Sequence, residues 1–424
     1  MDCIIIQGGK PIIGEVHING SKNASLPLMI VSLLTDENLL LNNVPKLTDI
    51  SIMMQLLSSY GTKIEILERQ DSFKLTLSSR HITDFKVPID IATKIRASIW
   101  ILGPLLARFG KANVCLPGGC TIGARPVDLH VAVLQALGAT IDIDNGYISA
   151  KTNGRLKGCD FQFSKQSVGA TINAILAAVL ASGESNFINC AMEPEIADVC
   201  HCLNTMGAEI RGIGTTHLKV IGKEKLSGCE YNVLPDRIEA GTYMIAAAAT
   251  RGNILLKGIH LDILENLVCC MRESGIYIQQ EANAIRIKHS GEIKPVNIST
   301  QPYPGFSTDL QAQFMTLMIL ANGTSVVQEN IFENRFMHVA QLCKMGANIT
   351  INGNKALVNG VSELKGTEVI ASDLRASVSL VIAGLVATGE TKIQRIDHLD
   401  RGYQSLEKKL ANCGADILRV NSNT

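Results

Sequence analysis

The segment Tyr60-Gly61-Thr62-Lys63-Ile64-Glu65-Ile66 decides the fold, because the chain repeats it six times. YGTKIEI (60–66) recurs as LGATIDI (137–143), MGAEIRG (206–212), SGIYIQ (274–279), MGANITI (345–351) and CGADILRV (413–420). The glycines Gly61, Gly138, Gly207, Gly275, Gly346 and Gly414 stand 77, 69, 68, 71 and 68 residues apart, the spacing of an internal structural repeat. An amphipathic helical pattern precedes each glycine and apolar/polar alternation follows it. The glycine therefore reads as the left-handed residue that ends a helix, and the alternation as a half-buried strand.

A second marker keeps the same rhythm. Unusually apolar helical stretches end at Gly110, Gly183, Gly252, Gly323 and Gly389, each followed by a strand-like run: ANVCLP, SNFINC, NILLKG, TSVVQE and TKIQRI. Only the first unit departs, ending its helix in Thr35-Asp36-Glu37-Asn38. The unit reads strand, apolar helix, strand, amphipathic helix, strand, strand (βαβαββ), which makes the chain an α/β protein of α+β repeats. The sixth unit stops at Thr424 without its final strand, and the run Cys3-Ile4-Ile5-Ile6-Gln7 supplies it. The N-terminal strand is thus expected beside the last one. Six units divide most naturally into two domains of three. One combines residues 1–20 with 230–424, and the other is an insertion over 21–229.

Composition narrows the function classes. With 46% hydrophobic and 18% charged residues in 424, the chain has material for sizeable cores and little tendency to disorder. Its 39 basic and 39 acidic residues cancel and form no basic footprint, so nucleic acid is not an expected partner. The opening MDCIIIQGGKPIIGEV lacks the pattern of a signal peptide, and no apolar run approaches the roughly 18 residues of a membrane span. A cytoplasmic protein without membrane association is expected, its twelve cysteines free thiols. Cys200-His201-Cys202 and Cys269-Cys270 have no second cluster at ligand spacing, so no metal site is expected. Cys200 falls on an apolar helical face with Ile196, Val199, Leu203 and Met206 and reads as core.

Polar residues of unusual density gather where strands give way to helices: Ser21-Lys22-Asn23, the loop 118–125, Lys165-Gln166-Ser167-Val168-Gly169, Ser307-Thr308-Asp309 and Ser372-Asp373-Leu374-Arg375. Helix N-termini with free backbone N–H groups favour anions. An anionic ligand between the halves is the expectation. The sharpest single feature is LPGGCTIGARPVDLH (116–130), where Cys120 sits between glycines and polar neighbours. Ala124-Arg125 stands where a P-loop needs Lys-Ser/Thr, so nucleotide hydrolysis is not the reading. On local sequence alone, a glycine turn with an incidental thiol and a reactive loop remain equal readings.

The set GSKNA, IRASIW, LPGGCTIGARPVDLH, SVGAT, EPEIAD, LPDRIEAGT, STDLQAQF, ENRFMH, DLRAS and HLDRGY, in that order along the whole chain, resembles the UDP-N-acetylglucosamine 1-carboxyvinyltransferase family. The resemblance implies an inside-out α/β barrel of the enolpyruvyl transferase type, with two domains of three units each. It also implies transfer of the enolpyruvyl group of phosphoenolpyruvate to the 3′-hydroxyl of UDP-N-acetylglucosamine, with release of phosphate and no cofactor. Cys120 matches the loop thiol implicated in proton donation and product release. Asp309 matches the carboxylate that takes the sugar hydroxyl proton, although a helix cap at Ser307-Thr308-Asp309 is the competing reading.

Lys22, Arg125 and Arg401 match the cations around phosphoenolpyruvate, with Arg335 and Arg375 close by and Asn23 as a further contact. Nucleotide-sugar contacts carry over to Arg96, to Arg125, Pro126, Val127, Asp128 and Leu129, to Lys165, Gln166, Ser167 and Val168, and to Asp309 and Ile331. Gln166 departs from the family, whose members are apolar there. Glu193, Asp236, Glu239 and Asp373 match motifs as supporting or hinge residues, and Trp100 reads as packing. Two anionic substrates imply closure of the domains around them. The competing functions are enolpyruvyl transfer to shikimate 3-phosphate, which the Cys120 loop disfavours, and a non-catalytic nucleotide-sugar-binding scaffold.

Overall fold

The computed structural model describes residues 2–85, 89–116, 123 and 126–421. The chain forms two compact units, one of residues 1–19 with 235–424 and one that runs from Gly20 to Leu234 apart from the glycine-rich loop. Each has its own apolar core.

One sheet pattern repeats. In the first unit, Ile13–His17 pairs parallel with Asn253–Lys257, which pairs antiparallel with Ala284–Lys288, itself antiparallel to Tyr277–Glu281. Ile298–Ser299, Thr324–Gln328, Lys355–Asn359 and Asn348–Asn352 repeat that order. In the third sheet Glu368–Ile370 and Glu390–Gln394 are followed by Cys3–Gln7, with Asp416–Val420 on its far side. Ile4 lies opposite both Ile393 and Arg419. The N-terminal strand therefore occupies the place of the strand missing from the sixth unit.

The second unit has two more such sheets. Cys229–Asn232 pairs parallel with Asn38–Val44 and Asp160–Gln162 with Glu184–Ile188, each followed by two antiparallel strands. The third sheet, Lys111–Cys115 with Tyr147–Lys151 and Thr140–Asp144, has no parallel first strand among the described residues. Because Cys229–Asn232 completes a sheet begun at Asn38, this unit extends past residue 229 to Leu234.

All six repeat glycines are left-handed, with φ between 90° and 108°. Each follows an amphipathic helix, as Gly61 follows Thr48–Tyr60 and Gly346 follows Val339–Lys344. The second set differs at one position. Gly252 is not left-handed; Arg251 takes that role with φ 55°. Gly252 is needed instead for space, since a Cβ there would meet the Ile12 carbonyl oxygen at 2.2 Å.

The apolar helices form the centres of the units. All thirteen residues of Arg237–Ala249 are buried, and a Cβ on Gly241 would come within 2.8 Å of Leu267 and Leu310 side chains. Small residues there let Arg237–Ala249 pack closely with Gln311–Met318 and Leu374–Val386. Cys200 is buried on its helix as the periodicity predicts. The described cysteines are unbridged, and among the described residues no helix is long and apolar enough to cross a membrane.

Candidate active site

In the first unit, three central helices begin with polar caps. The Asp236 carboxylate accepts from the backbone N–H groups of Ile238 and Glu239 at 2.8 and 3.0 Å. Asp373 likewise accepts from Arg375 and Ala376 at 2.8 and 3.1 Å. At the third start the cap is Ser307, whose Oγ accepts from the Asp309 N–H at 3.3 Å. The Asp309 carboxylate faces two arginines. It accepts from Arg335 Nη2 through Oδ1 and from Arg375 Nη2 through Oδ2, both at 2.9 Å. Both arginines are buried, with side chains 5% and 7% exposed, whereas Asp309 is 26% exposed. A water-accessible carboxylate is thus clamped by two desolvated guanidinium groups.

A hydrogen-bonded network ties the three helices together behind that carboxylate. Arg375 Nη1 donates to the Tyr403 hydroxyl at 3.0 Å, and Gln313 Nε2 donates to it at 3.3 Å and to the Asp309 carbonyl at 2.9 Å. Thr242 gives its own proton to the Ile238 carbonyl at 2.8 Å. Tyr403 therefore donates to Thr242 Oγ1, 2.9 Å away, while accepting from Arg375 and Gln313. Burial lowers the proton affinity of Arg375, but Asp309 and Tyr403 outweigh it and hold the guanidinium above its usual range. Arg401 ends the 3₁₀ segment Ile396–Arg401, two residues before Tyr403.

Glu329 fixes the neighbouring loop. It is buried and accepts from Thr300 Oγ1 and Thr308 Oγ1 at 2.9 Å and from the N–H groups of Ile331 and Phe332 at 2.9 and 3.1 Å. One carboxylate thereby orients Ile331 and the residue before Asp309. Glu239, also buried, accepts from Lys409 Nζ at 2.6 Å and from the Asn19 N–H at 2.9 Å.

The second unit holds a separate group. Ser21 caps the helix Lys22–Val31, accepting from the Ala24 N–H at 3.4 Å, so Lys22 and Asn23 occupy its first turn. Lys22 Nζ lies 3.3 Å from Asp49 Oδ2 in a largely buried pair. Arg96 opens the 3₁₀ segment Arg96–Ile101, and Pro126 and Val127 lead into the helix Asp128–Ala136. Leu129 is buried at its start. His130 is buried on that helix, its Nδ1 3.1 Å from Asn173 Nδ2, and burial together with Arg96 pushes it down to about 4 against the opposing Asp128. Gly169 passes so close that a Cβ there would lie 3.0 Å from His130 Nε2 and 3.3 Å from Trp100 Nε1. Ser167 caps the helix Val168–Ala178, Lys165 is exposed, and Gln166 Nε2 donates to the Cys190 carbonyl at 3.2 Å.

Of the residues singled out from sequence, Asp309, Arg335 and Arg375 meet directly in the first unit, and Arg96 and Asp128 both act on the buried His130 in the second. Cys120 and Arg125 lie outside the described residues. Tyr403, Gln313, Thr242, Glu329 and Asp49 were not singled out, since each acts through a partner far along the chain. For Tyr403, Gln313 and Thr242 the one sequence signal is position inside the motifs HLDRGY, STDLQAQF and LPDRIEAGT, and Asp49 lies in none of them.

This architecture is the enolpyruvyl transferase fold. The enolpyruvyl transferase NikO from Streptomyces tendae matches it with TM-score 0.88 and 22% identity over 99% of both chains. An EPSP synthase from Acinetobacter baumannii matches with TM-score 0.76 and 19% identity over 99% of this chain and 100% of that one. Residues 6–410 match the family EPSP synthase (3-phosphoshikimate 1-carboxyvinyltransferase). UDP-N-acetylglucosamine 1-carboxyvinyltransferases of Rickettsia bellii and Rickettsia massiliae are 58% identical to this chain over 420 residues, covering 99% of it and 100% of each relative. The chain belongs to the EPSP synthase family, in its UDP-N-acetylglucosamine 1-carboxyvinyltransferase branch.

Proposed function

We propose that the chain transfers the enolpyruvyl group of phosphoenolpyruvate to the 3′-hydroxyl of UDP-N-acetylglucosamine and releases phosphate, as an early step of peptidoglycan precursor synthesis in the cytoplasm. The full-length identity to transferases of that name supports the substrate pair. The observation that carries the chemistry is the Asp309 carboxylate, fixed between Arg335 and Arg375 where three helix N-termini are linked.

Addition needs a base for the sugar hydroxyl and an acid for the methylene carbon of the enol. Asp309 takes the hydroxyl proton as the oxygen attacks the neighbouring carbon. The Cys120 thiol supplies the proton to the methylene, giving a tetrahedral phospholactoyl intermediate. Loss of a proton from the new methyl group together with departure of phosphate then forms the enol ether. Lys22, Arg125 and Arg401, with Arg335 and Arg375, hold the phosphate and carboxylate of phosphoenolpyruvate. Asn23 adds a contact to that substrate. Arg96, the segment 125–129, the segment 165–168 and Ile331 hold the nucleotide-sugar, Gln166 being the member whose side chain differs from the family. The Glu329 hub, which orients Ile331 and Thr308, supports a preformed site on that side.

Phosphate release from phosphoenolpyruvate tests the reading. Release that depends on UDP-N-acetylglucosamine and falls away in Cys120→Ala is the expected result. Release that depends on shikimate 3-phosphate instead, or on neither acceptor, would refute it.

A further inference from the structure

The helix Pro194–Thr205 packs on the strand Cys229–Asn232 inside the second unit. Asp198 and Cys202 are four residues apart and share one helix face. Cys229 and Tyr231 are two apart and share one strand face, the half-buried one. The Tyr231 hydroxyl donates to Asp198 Oδ1 at 2.8 Å. The register that joins those two brings Cys202 to Cys229. The thiols do interact. Cys229 is drawn below the usual thiol range chiefly by the Cys202 thiol beside it, with burial opposing. Cys202 is raised by the same neighbour and by burial. Cys202 is fully buried, Cys229 is partly exposed, and neither is bridged. Enolpyruvyl transfer uses neither.

We propose that Cys202 and Cys229 are a modification site, a dithiol that closes to a reversible disulfide when it meets a small-molecule disulfide such as oxidised glutathione. The partly exposed Cys229, as thiolate, attacks one sulfur of the oxidant, forming a mixed disulfide and releasing one glutathione thiolate. The Cys202 sulfur then attacks Cys229 Sγ, and the second glutathione leaves. Two protons and two electrons pass from the cysteine pair, and the oxidant's S–S bond is reduced to two thiols. The bridge would reinforce a segment that supports the active-site helix. Asp198 Oδ2 accepts from the Leu234 N–H at 3.3 Å, and the Leu234 carbonyl accepts from the Ser21 N–H at 2.8 Å, directly before Lys22.

Treatment of the full-length protein with oxidised glutathione, followed by alkylation and peptide mass spectrometry, tests this. The expected product links 226–237 to the peptide holding Cys202, with fragmentation distinguishing Cys202 from Cys200, and a thiol reductant reverses it. In Cys202→Ser, or Cys202→Ala if the serine does not fold, glutathione should remain on Cys229 because nothing displaces it. Wild-type Cys229 that retains glutathione to the same extent, or stays unmodified, would overturn the proposal.

Discussion

Asp309 and Arg375 are joined by a 2.9 Å ion pair between the starts of two different helices, and the same guanidinium donates at 3.0 Å to Tyr403. The proposed base is therefore part of the structural network of its unit. Its replacement should be felt in both activity and stability.

Asp309→Asn should lower turnover by about 10²- to 10⁴-fold, the usual contribution of a positioned acid or base. The amide can accept from only one of the two buried arginines. A stability loss of about 1.5–3 kcal/mol should accompany the kinetic effect. Steady-state kinetics with urea unfolding measures both, and a variant of unchanged stability would show that the arginine clamp is energetically idle.

Tyr403→Phe keeps the ring and removes the acceptor of Arg375 Nη1 and Gln313 Nε2. We expect a loss of about 1.5–3 kcal/mol in unfolding free energy from the desolvated Arg375 donor left behind. The Michaelis constant for phosphoenolpyruvate should rise, with kcat/KM down about tenfold, equivalent to roughly 1.4 kcal/mol. Tyr403→Leu should be worse on both counts, since it also opens a void.

Acid should destabilise the fold through two buried histidines. Burial, helped by Arg96, pushes His130 down to about 4, and burial, opposed by Asp373, does the same to His338. Because both sit below the ordinary histidine value, the unfolded chain binds protons first. Stability is then full above about pH 6.5 and declines through 4, each histidine removing on the order of 3 kcal/mol. Asp198 opposes this in part: burial raises it to about 6, so its protonation favours folding at low pH, an effect that fades as pH climbs through 6. Urea midpoints measured from pH 7 to 4 should fall in the wild type and fall less steeply in His130→Asn.

Fosfomycin should inactivate the wild-type enzyme in the presence of the UDP-sugar by alkylating Cys120, while Cys120→Asp should resist it. Time-dependent loss of phosphate release, with intact-mass detection of the adduct, checks both. Full wild-type activity after treatment would remove Cys120 from the reaction.

Much of this architecture is legible in local sequence. Gly61 and its five counterparts announce helix ends because a left-handed residue there is a local requirement, and the alternating strands follow at once. What local sequence does not carry is pairing over distance. Nothing near Cys229 says that it completes a sheet with Leu39, or near Ile13 that its partner is Asn253. Gly252 shows the same limit, since its glycine answers a carbonyl on Ile12 and the left-handed turn falls to Arg251. Among the candidate residues, Lys22, Asp309 and Arg375 can be named from motifs. The network through Tyr403, Thr242 and Gln313 exists only once three helices, far apart in sequence, are packed together.

The placement of Cys3–Gln7 between Glu390–Gln394 and Asp416–Val420 has a consequence for biosynthesis. On a ribosome, the described strands of the Gly20–Leu234 unit have their partners available as soon as residue 234 has emerged. The other unit must hold Cys3–Gln7 unpaired until Glu390–Gln394 has been made, with Ile4 and Ile6, buried in the finished sheet, uncovered meanwhile. Vectorial synthesis thus makes the insertion the early folder, and leaves the apolar run Cys3–Gln7 open to non-native association while its partners are still being made.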